Sequence, residues 1–221
     1  MKIEQIEYKH NSAVIKLTDR KQFEVSLEVP YLLKISSGQD IEDELFEKII
    51  HESHKFDCEK KALRYVSMGM NGIKSELEIV NYLKKKKFEN EIINQTVNRL
   101  KKLNYINDRE FAVKFTDYKM RTKTVGLNFI KNELMRKGIK RDIIEEIVGA
   151  YSIHHIPITD KDPTPLQQLA FKKFEAVKNK KNPLEKVKMF LIGRGFNFDE
   201  IELVLKTLKS KMKSYDDDFE L

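Results

Sequence analysis

The first thirty residues alternate between apolar and polar positions. Phe23, Val25, Leu27 and Val29 interleave with Gln22, Glu24, Ser26 and Glu28, a period of two that predicts a half-buried strand. Ala13, Ile15 and Leu17 alternate in the same way with Val14, Lys16 and Thr18, and a weaker strand covers Ile3 to Tyr8. Thr18 to Lys21 reads as a hairpin connection. A sheet of three short strands is too small to stand alone, so it is expected to pack on the first helices. Tyr31 to Ile35 predicts a short helix ended near Gly38. Asp40 is placed to cap another that carries Ile41, Leu45, Phe46 and Ile49.

From Asp57 the period becomes helical and stays so. It predicts helices over 57–70, 74–87 and 90–103, then 107–122, 124–138 and 141–151, then 164–178, 183–194 and 198–212. Ser75 with Glu78, Asn107 with Glu110 and Asn197 with Glu200 have the spacing of capping boxes. Thr164 and Asn182 each stand as a capping side chain before a proline at the first helical position. The closing helix of each set shows one apolar stripe: Ile92, Ile93, Val97 and Leu100; Ile143, Ile144, Ile147 and Tyr151; Ile201, Val204, Leu205 and Leu208.

The three sets also share landmarks. Ala62, Ala112 and Ala170 precede Leu83, Leu134 and Leu191 by 21, 22 and 21 residues, and each leucine is followed by cations and then Phe88, Ile139 or Phe196. We read those last three as core staples. Gly138 and Gly195 fall where a left-handed residue ends a helix, and Lys87 holds that place in the first set. A register kept this closely suits stacked units that bury their apolar faces against one another. The expected fold is mainly α: three tandem three-helix repeats in an elongated array, preceded by a small antiparallel β-sheet. The expected boundaries are a sheet and helical lead-in over 1–50, repeats over 51–104, 105–152 and 164–213, a linker over 153–163, and a disordered acidic tail over 214–221.

Composition narrows the function. Lys and Arg number 42 against 35 Asp and Glu, a net charge of +7, and part of the acid is gathered in Asp216, Asp217, Asp218 and Glu220. The body is therefore more basic than the total, which favours a polyanionic partner. One cysteine, Cys58, excludes an internal disulfide or a four-cysteine zinc site and reads as a core residue. No apolar run is long enough to span a membrane, and Met1 to Gln5 lack the apolar core of a signal peptide, so a cytoplasmic protein is expected. Phosphate-binding glycine loops, metalloprotease motifs and nucleophile elbows are absent. His51 and His54 with Asp57 and Cys58 have ligand spacing on a helix, but no second cluster completes a shell. They read as surface histidines, as do His154 and His155 in the linker. No cofactor, metal or catalytic activity is expected.

Cations recur at equivalent places. Lys84, Lys85, Lys86 and Lys87, then Arg136 and Lys137, then Arg194 end the same helix of successive repeats. The helix dipole favours a cation there by about 0.3–1 kcal/mol, so a structural cause exists for each cluster. Lys119, Arg121 and Lys123 lie between two helices of the middle repeat, and Lys140 and Arg141 open its third. Gathered on one side, these residues make a positive strip for phosphates or an acidic protein groove. A single such cluster is as readily solvated surface; its recurrence is what marks the set.

The run Leu103-Asn-Tyr-Ile-Asn-Asp108-Arg-Glu-Phe111-Ala112, continued through Lys119, Arg121, Gly126, Ile130 and Leu134 to Lys137-Gly138-Ile139, resembles the RecX regulatory family. Ser75-Glu76-Leu77 with Leu83 and Phe88 is similar to that family's first-repeat signature, and residues 1–50 are similar to an extension of Gram-positive members. The resemblance implies tandem three-helix repeats without enzymatic activity. It also implies binding to the RecA recombinase filament on single-stranded DNA, with restraint of filament growth, ATP hydrolysis, strand exchange and co-protease activity. Some members of the family touch DNA. The chain departs from the pattern at Asn71-Gly72-Ile73-Lys74, where the family shows arginines, and at Lys87, where it shows glycine, which weakens the first repeat's share of the contact. Asp108, Phe111 and Ala112 match but read as cap and core. Two readings stand: a monomeric filament-binding regulator, and a stand-alone DNA-binding helical-repeat protein.

Overall fold

The computed structural model describes residues 1–69, 73–153 and 163–217, with the backbone alone for 153 and 211–217. Asn71 and Gly72, most of the expected linker with His154 and His155, and the last four residues lie outside the described residues. Two compact units divide the chain, Met1–Asn107 and Asp108–Leu221.

The first unit opens with strands β1 (Ile3–Tyr8), β2 (Ser12–Leu17) and β3 (Gln22–Ser26), an antiparallel sheet in the order β1-β2-β3. Ile15 pairs with Ile6 on one side and Phe23 on the other, so the alternating apolar positions share a face. The third strand stops earlier than the alternation suggests. Pro30 has no N–H to give a ladder and a φ suited to a first helical turn, so Val29–Leu32 form helix α1 instead. That helix replaces the one expected over Tyr31 to Ile35, and Lys34 leaves it at φ 52°.

Helix α2 (Asp43–Ser67) corrects a larger expectation. One helix of 25 residues runs where two were read, one after Asp40 and one from 57. No Pro or Gly interrupts the span, and its halves bury different faces. Leu45, Phe46, Ile49 and Phe56 pack on the sheet with Ile3, Ile15 and Val25, whereas Cys58, Ala62 and Val66 join Ile79, Leu83, Ile92, Ile93 and Leu100 in the first repeat. Asp40 does not cap it. That residue bridges to Lys2, and Ile41 is buried ahead of the helix. The break expected between residues 50 and 51 therefore falls inside a continuous helix.

A buried polar clasp marks where sheet and helix meet. The Ser26 N–H donates to Ser53 Oγ at 2.9 Å and the Ser26 hydroxyl to Asp57 Oδ1 at 2.8 Å. Ser53→Ala leaves the Ser26 amide buried without an acceptor. It is expected to lower the unfolding free energy by about 1–3 kcal/mol in chemical denaturation; an unchanged midpoint would refute that role.

Helix α2 forms the first repeat with α3 (Glu76–Lys85) and α4 (Asn90–Lys102). Helices α5 (Asp108–Thr122), α6 (Leu127–Arg136) and α7 (Arg141–Ile153) form the second. The third comprises α8 (Pro165–Glu175), α9 (Pro183–Gly193) and α10 (Phe198–Asp217). In every set each helix packs on the other two. The fold is thus mainly helical, with three-helix repeats after a small sheet. All three landmark alanines and all three landmark leucines are fully buried.

Capping follows the residue pattern at Ser75, Thr164 and Asn197, each bonded reciprocally with the residue three further on. Asn182 departs from it: the residue sits at φ 54° and makes no side-chain cap bond. Proline disfavours a right-handed helical conformation in the residue before it, and asparagine tolerates the left-handed one. Helix α10 extends five residues past the expected 212, because no Gly or Pro stops it. The segment expected to be disordered from 214 is thus helical as far as Asp217.

Candidate partner-binding surface

The turn before each closing helix is built alike. Phe88, Ile139 and Phe196 donate their amides back to Leu83, Leu134 and Leu191 at 3.4, 3.1 and 3.3 Å, around a left-handed residue. Gly138 and Gly195 take φ 79° and 80° there, as the sequence pattern suggested. Lys87 takes φ 63°, a conformation that costs a side-chain-bearing residue about 1 kcal/mol. Ile139 and Phe196 are buried and Phe88 is half-buried, so these residues serve the core. The turn thereby delivers Lys84–Lys87, Arg136 with Lys137, and Arg194 to helix ends, where free carbonyls favour positive charge.

In the middle repeat the cations divide into three kinds. Lys119 and Lys137 are half-buried and held on aromatic faces. Their ammonium groups lie 5.1 and 5.5 Å from the Phe115 ring, with Phe129 at 5.9 Å from Lys119 and Phe111 at 5.6 Å from Lys137. Two charges far apart in sequence are thus gathered over one ring and fixed there. Arg136 and Arg141 are exposed but compensated, paired with Glu133 at 2.9 Å and Glu145 at 2.7 Å. The Arg141 guanidinium holds the Glu145 carboxyl below its ordinary value. Lys123 and Lys140 are exposed and have no carboxylate partner among the described residues.

Arg121 belongs with the last kind. Its Nε reaches only the Asp117 carbonyl, at 3.4 Å, because the Asp117 carboxylate accepts the Tyr151 hydroxyl. Burial, then this hydrogen bond to a carboxylate, pushes the Tyr151 hydroxyl up to about 12. A folded-state value above the ordinary one means stability that is complete below about pH 10 and lost as pH rises towards 12. Chemical denaturation of wild type and Tyr151→Phe is expected to show the wild type's advantage shrinking across that window. A constant difference would show that the phenol does not titrate in this contact.

The second and third repeats meet through backbone. Gly126 donates its N–H to the Arg194 carbonyl at 2.9 Å and Asn128 to the Gly195 carbonyl at 3.1 Å. A Cβ on Gly126 would lie 2.1 Å from the Gly195 oxygen, and one on Gly195 would lie 2.1 Å from the Phe129 nitrogen. Only glycine permits this approach. It sets Arg194, whose guanidinium lies 5.1 Å from the Phe190 ring, beside the turn that carries Lys123.

In the first unit Lys84–Lys87 are all exposed. Lys86 lies over Tyr82 at 5.7 Å, Tyr82 stacks on Tyr65 at 4.0 Å, and Lys74 covers Tyr65 at 4.9 Å. The aromatic seats of these lysines are what sequence reading missed. The Phe115–Lys119 spacing of one helical turn was a usable sign; Phe129 and Tyr65 offered none, since their lysines come from other elements.

Nothing in these groupings activates a nucleophile. Cys58 is fully buried, and burial pushes its thiol up, away from the reactive thiolate. Among the described residues no three His, Cys, Asp or Glu side chains are placed to hold a metal ion, and no helix is long and apolar enough to cross a membrane. Fixed, solvent-facing cations can bind anions.

Residues 107–147 match the family model described as "RecX, second three-helix domain", a span that covers α5, α6 and the first half of α7. The "Regulatory protein RecX" of Streptococcus uberis is 28% identical over 204 residues, covering 92% of this chain and 76% of the relative. That of Clostridium acetobutylicum is 26% identical over 214 residues, covering 95% and 96%. A crystal structure of regulatory protein RecX superimposes with a TM-score of 0.72 at 21% identity, covering 92% of this chain and 98% of that one, a likeness of fold. The crystal structure of RecX from Lactobacillus salivarius gives 0.57 at 26% identity over 71% of this chain and 97% of that one.

Proposed function

We propose that the chain is a member of the RecX family that binds the RecA recombinase filament on single-stranded DNA and restrains its ATPase, strand-exchange and co-protease activities. One observation carries the reading. The repeat that matches the family's second three-helix domain also holds cations in fixed positions on aromatic faces, while Arg121, Lys123 and Lys140 face solvent without a carboxylate beside them. A nucleoprotein filament presents negative charge repeatedly along its length, which these cations can meet. Regulation follows from occupancy, so no catalytic group is required.

Co-sedimentation tests this. The protein is expected to pellet with preformed recombinase filaments at physiological salt and to lower their DNA-dependent ATPase as occupancy rises. Failure to pellet, with full ATPase retained, would overturn the proposal.

A further inference from the structure

Three times in the second unit, an acid and a base four residues apart close into an ion pair. Glu110 meets Lys114 at 2.7 Å, Glu145 meets Arg141 at 2.7 Å and Glu202 meets Lys206 at 3.4 Å. Asp117 and Arg121 stand on α5 with the same spacing. The acid lies towards the helix start, which is the favourable order for such a pair. They do not close. The Asp117 carboxylate accepts the Tyr151 hydroxyl from near the end of α7, and Arg121 Nε is left with the Asp117 carbonyl at 3.4 Å.

The hold on that carboxylate is firm. Tyr151 is half-buried, so its hydroxyl needs an acceptor, and a hydrogen bond to an ionised group is the stronger kind. Burial first, and this acceptor second, push the hydroxyl up to about 12, so the donor keeps its proton at any ordinary pH. Arg121 is exposed, with its guanidinium free of carboxylates.

We propose that Tyr151 is a positioning residue for the binding surface: by occupying the Asp117 carboxylate, it keeps the Arg121 guanidinium open to an acidic partner. The role rests on the filament reading for its partner and adds a residue that carries no charge of its own. Without the hydroxyl, Asp117 turns to the cations one turn away on α5. Lys114 is already paired with Glu110, so Arg121 is the one left to it. A guanidinium engaged in that way offers fewer of its five N–H donors, and a partner must first break the pair.

Wild type, Tyr151→Phe, Asp117→Asn and the double variant are titrated against labelled recombinase filaments. Tyr151→Phe keeps the ring and loses only the hydroxyl, so its circular dichroism is expected to match wild type. It is expected to bind filaments about threefold more weakly. Asp117→Asn is expected to bind at least as tightly as wild type. Adding Tyr151→Phe to it is expected to cost nothing further, since no carboxylate remains to capture Arg121. A tyrosine with a merely structural role would cost the same in both backgrounds, and that result would overturn the proposal. So would wild-type affinity in Tyr151→Phe.

A second measurement needs no recombinase. Solvent exchange of the Arg121 Nε–H, followed by NMR, is expected to slow in Tyr151→Phe and to recover in the double variant. Exchange unchanged by Tyr151→Phe would also overturn the proposal. Should wild type fail to bind filaments while that exchange slows, the filament reading falls and the hold of Tyr151 on Asp117 stands.

Discussion

Arg121→Glu, Lys123→Glu and Lys140→Glu combined are expected to weaken binding to recombinase filaments by at least about tenfold, or about 1.4 kcal/mol. The three side chains are exposed and none is paired with a carboxylate, so their reversal removes free positive charge and adds like-charge repulsion against an acidic partner. Arg136→Gln with Arg141→Gln supplies the comparison. Those guanidiniums already face Glu133 and Glu145, so neutralising them is expected to shift affinity by less than about threefold. Filament pelleting and inhibition of ATP hydrolysis measure both variants. If the triple variant binds like wild type, the middle repeat is not the contact surface. If the arginine pair matters more, the contact breaks surface ion pairs to form.

Gly195→Ala is expected to destabilise the second unit by about 3 kcal/mol, with a matching fall in denaturation midpoint. Two causes add. The residue holds φ 80°, where a Cβ is strained, and that Cβ would lie 2.1 Å from the Phe129 nitrogen in the other repeat. Backbone has no rotamer with which to move aside, so the repeats must part or the turn must open. Gly193→Ala is the internal control. It lies in the last turn of α9 with nothing within 4 Å of a built Cβ, and there alanine is expected to add about 0.5–1 kcal/mol by its helix preference. Opposite signs two residues apart would place the cost at the junction; equal destabilisation would place it in general helix disruption.

Much of the local architecture was legible because its causes are local. The capping boxes at Ser75 and Asn197 need only residues three apart, and the left-handed ends at Gly138 and Gly195 need only the absence of a side chain. The landmark alanines and leucines are buried because they recur on one face of each helix. The candidate site was legible as a set of cations and not as an arrangement. Glu133, one helical turn before Arg136, marks that pair along the chain, but nothing along the chain shows that Lys123 is left without a carboxylate.

The sequence by itself determined most helix starts and stops within the repeats, which faces those helices bury, the tally of charge and the resemblance to one regulatory family. Those follow from spacing over a few residues, where the chain's own covalent geometry sets who meets whom. Tertiary structure alone decided that α2 is one helix shared by sheet and first repeat, and that Lys119 and Lys137 settle on the same phenylalanine. It also decided that Gly126 meets Gly195 across 69 residues of chain. Packing and screening depend on distances in space, which the folded backbone sets, so the same count of lysines can be solvated surface, core clamp or binding site.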